Sequence, residues 1–187
     1  MAVEIDPKRT AILVYDMNSP IVEKGSPSYN QWAVDGMPTH ARLLAACRKA
    51  GIPVYYAISA RGYAGFEICA PIAPVDGETV LRHEGSGALY NTELEARLKN
   101  EGRDTLLITG MAVDRGANTA ARYAQNLGIR PVMVAGACYA YDLAESPFGA
   151  VSARELERVH LAALHRMGII SAPIDELTAT ILSVAVP

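Results

Sequence analysis

The chain has 187 residues, of which half are apolar and one fifth are charged; this is the composition of an ordinary globular protein, and the length predicts one domain over residues 1–187. The 17 basic and 20 acidic residues give a net charge of −3, so no basic excess is available for phosphates, and we expect neither a nucleic-acid partner nor a membrane partner. The polar first ten residues do not resemble a signal peptide and the apolar runs are too short to span a bilayer, so we expect a cytoplasmic protein.

Apolar runs typical of buried strands alternate with helical patterns along the chain. In chain order they predict a strand over 10–16, a helix over 40–50, a strand over 53–58, a helix over 93–100, a strand over 105–109, a helix over 115–127, a strand over 130–134, a helix over 152–167, a short strand from 169 and a last helix with Asp175 as its N-cap. This alternation, with Gly at helix ends and short connections, predicts an α/β fold. We expect a single doubly wound, Rossmann-like domain with about six mostly parallel strands and helices on both faces.

One segment without periodicity, residues 62–78, contains several Gly and Pro residues and is predicted to be a long loop. Loops of this length in compact domains are usually functional. In open parallel sheets, ligands bind at the carboxyl ends of the strands. We therefore expect function at three places: Asp16 after the first strand, the turn over 110–116, and the loop around Arg61.

Several segments together resemble the isochorismatase-like hydrolases, also called cysteine hydrolases. Residues 11–18 (AILVYDMN) resemble the first strand of that family, which ends in its catalytic Asp. Residues 88–94 resemble the segment after the catalytic Lys, residues 107–120 resemble the turn and helix that carry the catalytic Cys, and residues 157–164 resemble a late helix. The segments extend in order over nearly the whole chain, and the resemblance implies an isochorismatase-like fold.

The positions of the family's catalytic triad carry mostly different residues here. Asp16 matches the Asp, whereas the position of the Cys falls on Gly116. An alignment without a gap places His83 at the position of the Lys, and a slip of one residue would place Arg82 there instead. Because Gly116 has no side chain, the thiolate attack of the family's amidases is excluded at this position.

The three cysteines are odd in number and far apart in the sequence, which argues against a disulfide framework and against a CxxC site for zinc or redox chemistry. Cys47 lies on an apolar helix stripe and Cys138 follows a predicted strand, so both are expected to pack in the core or near the site. Cys69 lies in the predicted loop and could reach the site, although no neighbouring residue marks it as activated. We therefore expect an active site without a catalytic cysteine.

The family also includes isochorismatases, which resemble this chain in having Gly at the position of the Cys and which hydrolyse a vinyl ether with Asp as proton donor. A carboxyl at the end of a buried strand can hold a proton and deliver it to an enol-ether carbon. The resemblance implies a hydrolase of a small, carboxylate-bearing molecule, with Asp16 as the acid. His83 is either its cationic partner or a strand-end residue without a role. The alternative is a diverged member without hydrolase activity, either a binding or scaffold protein or a catalyst of a lyase or isomerase step.

Basic residues at the same strand ends are candidates for binding a substrate carboxylate. Arg61 follows the second strand and Arg115 precedes a helix N-terminus, so either could hold an anion. Arg82 joins them if the slipped alignment applies. His40 and His160, by contrast, lie on helix stripes and are expected to be half-buried structural histidines.

The resemblance also indicates which residues form the wall of the pocket and which groups of the family are absent here. Met111 and Ala112 match the family's cis peptide, which shapes an oxyanion pocket, and Gly116 follows them. Ala112 stands where isochorismatases carry Tyr, so we expect a substrate other than isochorismate. Metal-binding members have a His cluster where this chain has residues 59–62 (SARG), so we expect no metal and no cofactor. The resemblance further implies a homo-oligomer, a dimer or larger.

Overall fold

Six strands form one parallel sheet in the part of the chain that the computed structural model describes, residues 3–60 and 67–185. The strands are β1 (Thr10–Tyr15), β2 (Val54–Ser59), β3 (Thr79–His83), β4 (Thr105–Met111), β5 (Arg130–Tyr139) and β6 (Ile170–Pro173). Their order is β3-β2-β1-β4-β5-β6, and every neighbouring pair is parallel. The prediction of a doubly wound α/β sheet with about six mostly parallel strands is confirmed.

Five helices cover the two faces of this sheet within the described residues. They are α1 (Gln31–Lys49), α2 (Leu94–Asn100), α3 (Gly116–Asn126), α4 (Ala153–His165) and α5 (Ile174–Val184). α1 and α5 pack on one face, and α2, α3 and α4 pack on the other. All residues of the central strands β1 and β4 are buried, because helices cover them from both sides. None of the helices in the described ranges is long and apolar enough to cross a membrane.

Side-chain alternation along β1 decides what its last residue contacts. Ile12 and Val14 face α1 and α5, whereas Leu13 and Tyr15 face the layer of α2, α3 and α4. Tyr15 therefore points toward the start of α3 at Gly116. The strand order reverses between β1 and β4, so the carboxyl ends of these two strands flank the crevice in which this class of sheet binds ligands.

Two helices begin at other residues than predicted. α1 begins at Gln31 rather than near position 40, because Asn30 caps it by accepting a hydrogen bond from the Ala33 N–H (2.9 Å) and Pro38 is accommodated inside it. The predicted N-cap of α5 is wrong as well: Pro173 occupies that position, and Asp175 lies in the first turn, where an acidic residue favours the helix dipole.

Two strands also depart from the predicted pattern. β5 continues to Tyr139 through Gly136, whose φ of +89° interrupts the apolar run at an irregularity in its pairing with β4. Cys138 consequently lies within β5 and not after it. β3 is absent from the elements predicted in chain order, because Val80 and Arg82 are exposed and only alternate residues of this edge strand are buried.

Candidate active site

A cavity of about 230 Å³ opens where β1, β3 and β4 end, next to the first turn of α3. It brings together most of the residues predicted for the site. Its lining includes Asp16, His83, Met111, Ala112, Arg115 and Gly116, together with Tyr15, Ile21, Ser59, Gly85, Ser86 and Tyr141. Arg61 lies outside the described residues.

The backbone of Asp16 leaves β1 in an unusual conformation that aims the carboxylate at the neighbouring strands. Its φ is +48°, in the left-handed region that Asp and Asn tolerate better than most residues. Its N–H donates to the Ala57 carbonyl (2.8 Å), and its Oδ1 accepts the Ser59 N–H (2.7 Å). The side chain stays 17% exposed, so the carboxylate is fixed by the end of β2 and remains open to the cavity.

His83 is buried at the end of β3 and bridges Asp16 to a backbone carbonyl. Its Nε2 lies 3.1 Å from Asp16 Oδ1, and its Nδ1 lies 2.6 Å from the Gly85 carbonyl oxygen. A carbonyl oxygen only accepts, so Nδ1 must carry a hydrogen. The bond between Nε2 and Oδ1 then needs one further proton, which lies either on the imidazole or on the carboxyl. Asp16 and His83 therefore share one proton.

The surroundings of His83 favour retention of this proton. Burial alone would lower the pKa of His83, but the hydrogen bond to Asp16, the negative charge of Asp16 and the Gly85 carbonyl together outweigh it and raise the pKa above the ordinary value. The pair thus keeps its shared proton to a higher pH than an isolated histidine would. Asp16 is the more exposed of the two side chains, so it is the group through which this proton can reach a molecule in the cavity.

Tyr15 fills the space beside Gly116. Its ring stacks on the imidazole of His83, with 4.7 Å between the centroids and 25° between the planes. A Cβ placed on Gly116 would overlap with the ring and hydroxyl of Tyr15. Gly110, with a φ of +110°, approaches the backbone of Tyr15 equally closely. The ring of Tyr15 therefore leaves no space for a side chain at position 116, and the backbone of Tyr15 leaves none at position 110.

The turn between β4 and α3 forms the opposite wall of the cavity. The peptide bond between Met111 and Ala112 is cis, as the resemblance implies. The Ala112 carbonyl accepts the N–H groups of Arg115 (3.0 Å) and Ala117 (3.2 Å), which fixes the start of α3 over the cavity. The side chain of Arg115 is 61% exposed at the mouth, with Nε 3.5 Å from Asp114 Oδ2, so it can turn toward an anion in the cavity.

Sequence comparison identifies the family. The Isochorismatase domain matches residues 10–169, which is most of the chain. The chain belongs to the isochorismatase family. Component B of the enterobactin synthase of Escherichia coli is 27% identical over 155 residues, which are 71% of this chain and 53% of that protein. The uncharacterized isochorismatase family protein YrdC of Bacillus subtilis is 27% identical over 101 residues, 54% of each chain. The matched region thus spans about half the length of these curated relatives.

Solved structures of this family share the fold. A cysteine hydrolase from Pseudomonas syringae superposes with a TM-score of 0.90 at 22% identity, over 97% of this chain and 96% of that chain. An isochorismatase family protein from Desulfovibrio vulgaris gives a TM-score of 0.77 at 26% identity, over 92% and 98% of the two chains. The arrangement of strands and helices is therefore that of isochorismatase-like hydrolases.

Within this isochorismatase-like site, the structure separates the two candidates for the position of the catalytic Lys. His83 faces Asp16, whereas Arg82 is exposed on the other side of β3 and does not line the cavity. The cause is the period of two along a strand, which turns adjacent side chains to opposite faces. The prediction of Arg82 as a substrate-binding residue is corrected accordingly.

The described residues place no thiol in the cavity. Cys47, Cys69 and Cys138 are all buried, and burial raises their pKa values to about 12, about 11 and about 12. Cys69, which could have reached the site from the loop, instead donates its S–H to the Asn18 carbonyl (3.2 Å). Nor do the described residues hold a cluster of three His, Cys, Asp or Glu side chains suited to a metal ion.

His40 differs from its expected half-buried state, and Tyr15 was missed altogether. His40 is fully buried on the inner face of α1, with Nε2 3.0 Å from Thr109 Oγ1, and burial lowers its pKa to about 4. His160 is partly buried, with Nδ1 3.1 Å from the amide of Asn118. The place of Tyr15 in the site could have been inferred from one pattern: an aromatic residue directly before Asp16 that must share a sheet face with Gly116.

Proposed function

We propose that this isochorismatase family member hydrolyses an enol ether of a small, carboxylate-bearing molecule, with Asp16 as the proton donor and without a protein nucleophile. The shared proton of Asp16 and His83, held at the cavity, carries this proposal. It supports acid catalysis because hydrolysis of an enol ether needs a positioned proton donor and does not need a thiol nucleophile.

The reaction can run on the groups that line the cavity. The proton of the pair passes to the methylene carbon of the enol ether, and an oxocarbenium ion forms at the carbon that bears the ether oxygen. Water adds to this carbon and returns one proton to the carboxylate of Asp16. The resulting hemiketal collapses to a 2-oxo acid and an alcohol. One water molecule is consumed and the acid is regenerated.

Substitutions elsewhere in the site support the same chemistry. Tyr15 occupies the place that a nucleophile at position 116 would need, and the three cysteines are buried with raised pKa values. Arg115 at the mouth supplies a positive charge for the carboxylate of the substrate. Ala112 leaves room where isochorismatases carry Tyr, which favours a substrate of different shape from isochorismate.

The test is a panel of 1-carboxyvinyl ethers of small alcohols, with a parallel panel of amides, assayed before and after treatment of the protein with iodoacetamide. We expect release of a 2-oxo acid from at least one ether, measured as its hydrazone, with a rate that alkylation leaves unchanged. Turnover of amides only, or loss of turnover after alkylation, would contradict the mechanism. Turnover of no ether would favour the alternative of a diverged binding protein.

A further inference from the structure

Tyr15 lines the cavity, and its hydroxyl lies next to the first turn of α3. Tyr15 is only 2% exposed, yet it lines the cavity, and a Cβ on Gly116 would overlap with its Oη. The first N–H groups of a helix have no acceptors within the helix, and the helix dipole places partial positive charge there. A buried hydroxyl and the start of an eleven-residue helix thus converge on one point of the cavity.

The hydrogen of this hydroxyl has no acceptor in the described part of the chain. The one partner found there for Tyr15 Oη is His83 Nδ1, at 3.3 Å. Nδ1 already donates its hydrogen to the Gly85 carbonyl (2.6 Å), so it has no lone pair to offer. Tyr15 Oη can accept a weak share of that hydrogen, which leaves its own O–H free to donate to a ligand. An unpartnered donor in so buried a side chain is costly unless a ligand completes it.

We propose that Tyr15 Oη, the first turn of α3 at Gly116 and the guanidinium of Arg115 form a subsite for a carboxylate group, in which Tyr15 donates the hydrogen bond that distinguishes a carboxylate from a neutral group. The inference rests on the proposed function in one respect, because it assigns the groups that hold the carboxylate of that substrate. Tyr15 would thus determine specificity, although it does not correspond to any residue of the family's Asp–Lys–Cys triad.

The charges around the subsite suit an anion. Burial, together with the negative charge of Asp16, raises the pKa of Tyr15, so the phenol stays protonated and remains a donor at neutral pH. Asp16 is itself paired with His83, which limits its repulsion of a second carboxylate. Arg115 adds an exposed positive charge at the mouth. The carboxylate would lie beside the carbon on which positive charge develops, where it also favours the reaction.

The experiment uses two small probes that the protein cannot hydrolyse, 2-methoxypropionate and its carboxamide, titrated against the protein while the Gly116 amide signal is followed by NMR. Hydrogen bonds to charged groups are stronger than those to neutral ones, so we expect Tyr15→Phe to weaken binding of the carboxylate by about tenfold and binding of the carboxamide by less than about twofold. Tyr55→Phe is the matched control: its ring is buried on the same face of the sheet, and its hydroxyl bonds to Glu101 away from the cavity.

A second measurement needs no variant and therefore does not depend on folding of Tyr15→Phe. With tyrosine labelled at Cζ, the Tyr15 signal of the natural protein should shift on addition of the carboxylate and stay in place on addition of the carboxamide. Equal responses to the two probes, or a Tyr15→Phe protein that binds the carboxylate like the natural chain, would overturn the subsite. If the ethers are not hydrolysed but these responses hold, the proposed reaction fails and the subsite stands.

Discussion

Asp16 and His83 meet across β2, the strand that separates their own strands in the sheet. Asp16 Oδ1 lies 3.1 Å from His83 Nε2, and the same oxygen accepts the Ser59 N–H at the end of β2 (2.7 Å). Three strand ends thus fix one carboxylate oxygen. Because Nδ1 of His83 donates to the Gly85 carbonyl, the arrangement stores a single proton at the edge of the cavity, and the effects of substitutions at His83 and Asp16 depend on where that proton lies.

Replacement of His83 by the family's residue tests the electrostatic link. His83→Lys places a fixed positive charge beside Asp16 and favours its ionised form. For a reaction that needs a proton on Asp16, the rate at pH 7 should fall by about tenfold or more, and the limb on which the rate declines with rising pH should move to lower pH. His165→Lys, the same change on an exposed residue of α4, should alter neither. A gain in rate near pH 7 would mean that Asp16 works as a base.

The cysteines should be dispensable. Native protein should react with a disulfide reagent at pH 8 about 100-fold more slowly than free cysteine, because its buried thiols form little thiolate. A protein with Cys47, Cys69 and Cys138 all replaced by Ala should keep its turnover of the best ether within a few-fold of the natural value. If Cys69→Ala alone removed the activity, a relocated nucleophile would exist and the acid mechanism would be wrong.

Two glycines next to Tyr15 should differ in how they can be rescued. Gly116→Ala forces a methyl group into the Tyr15 ring and should lower the free energy of unfolding by about 1–3 kcal/mol. Tyr15→Leu removes the overlapping ring atoms, so the double variant should be more stable than the sum of the two single changes predicts. Gly110→Ala instead meets the backbone of Tyr15 at a φ of +110°, and Tyr15→Leu should not rescue it. Urea unfolding of the natural protein, the three single variants and the two double variants measures these effects, and equal rescue of both glycine variants would contradict the packing.

His40 should make the protein less stable in mild acid. Its pKa is about 4 in the folded chain because of burial, against an ordinary value of 6.5. As the pH falls from 6.5 toward 4, the unfolded chain binds a proton at this residue that the folded chain does not, so the free energy of unfolding decreases, by on the order of 3 kcal/mol in total. His40→Gln should flatten this part of the stability profile in urea titrations at several pH values. His165→Gln, a substitution of an exposed residue, is the control and should not change how the free energy of unfolding depends on pH between 6.5 and 4.

Much of the fold was predictable because parallel strands buried on both faces appear as continuous apolar runs. β1 and β4 are such strands, with every residue buried. Edge and irregular elements were not predictable in the same way. β3 alternates between buried and exposed residues, and β5 passes through Gly136, so neither forms a single apolar run. Pro38 argues against a helix in the sequence, so the first turns of α1 were not predicted, although the helix accommodates this residue.

The site was predictable where it depends on the ends of strands and not where it depends on packing between distant elements. Asp16 and Gly116 follow from the sequence and the family resemblance. The choice between His83 and Arg82 needed the structure, since a slip of one residue along a strand exchanges its two faces. The role of Tyr15 needed it too, because its overlap with position 116 arises only when α3 packs on the sheet.

The most direct test of acid catalysis by Asp16 is the turnover of the best carboxyvinyl ether by Asp16→Asn. This change keeps the size of the side chain and an oxygen that can accept the Ser59 N–H, but it cannot deliver a carboxylic proton. Asp35→Asn, a substitution on the exposed face of α1, is the matched control and should behave like the natural protein. We expect Asp16→Asn to lower turnover by about 100-fold or more while the protein remains folded. Turnover of Asp16→Asn within a few-fold of the control would mean that Asp16 is not the acid.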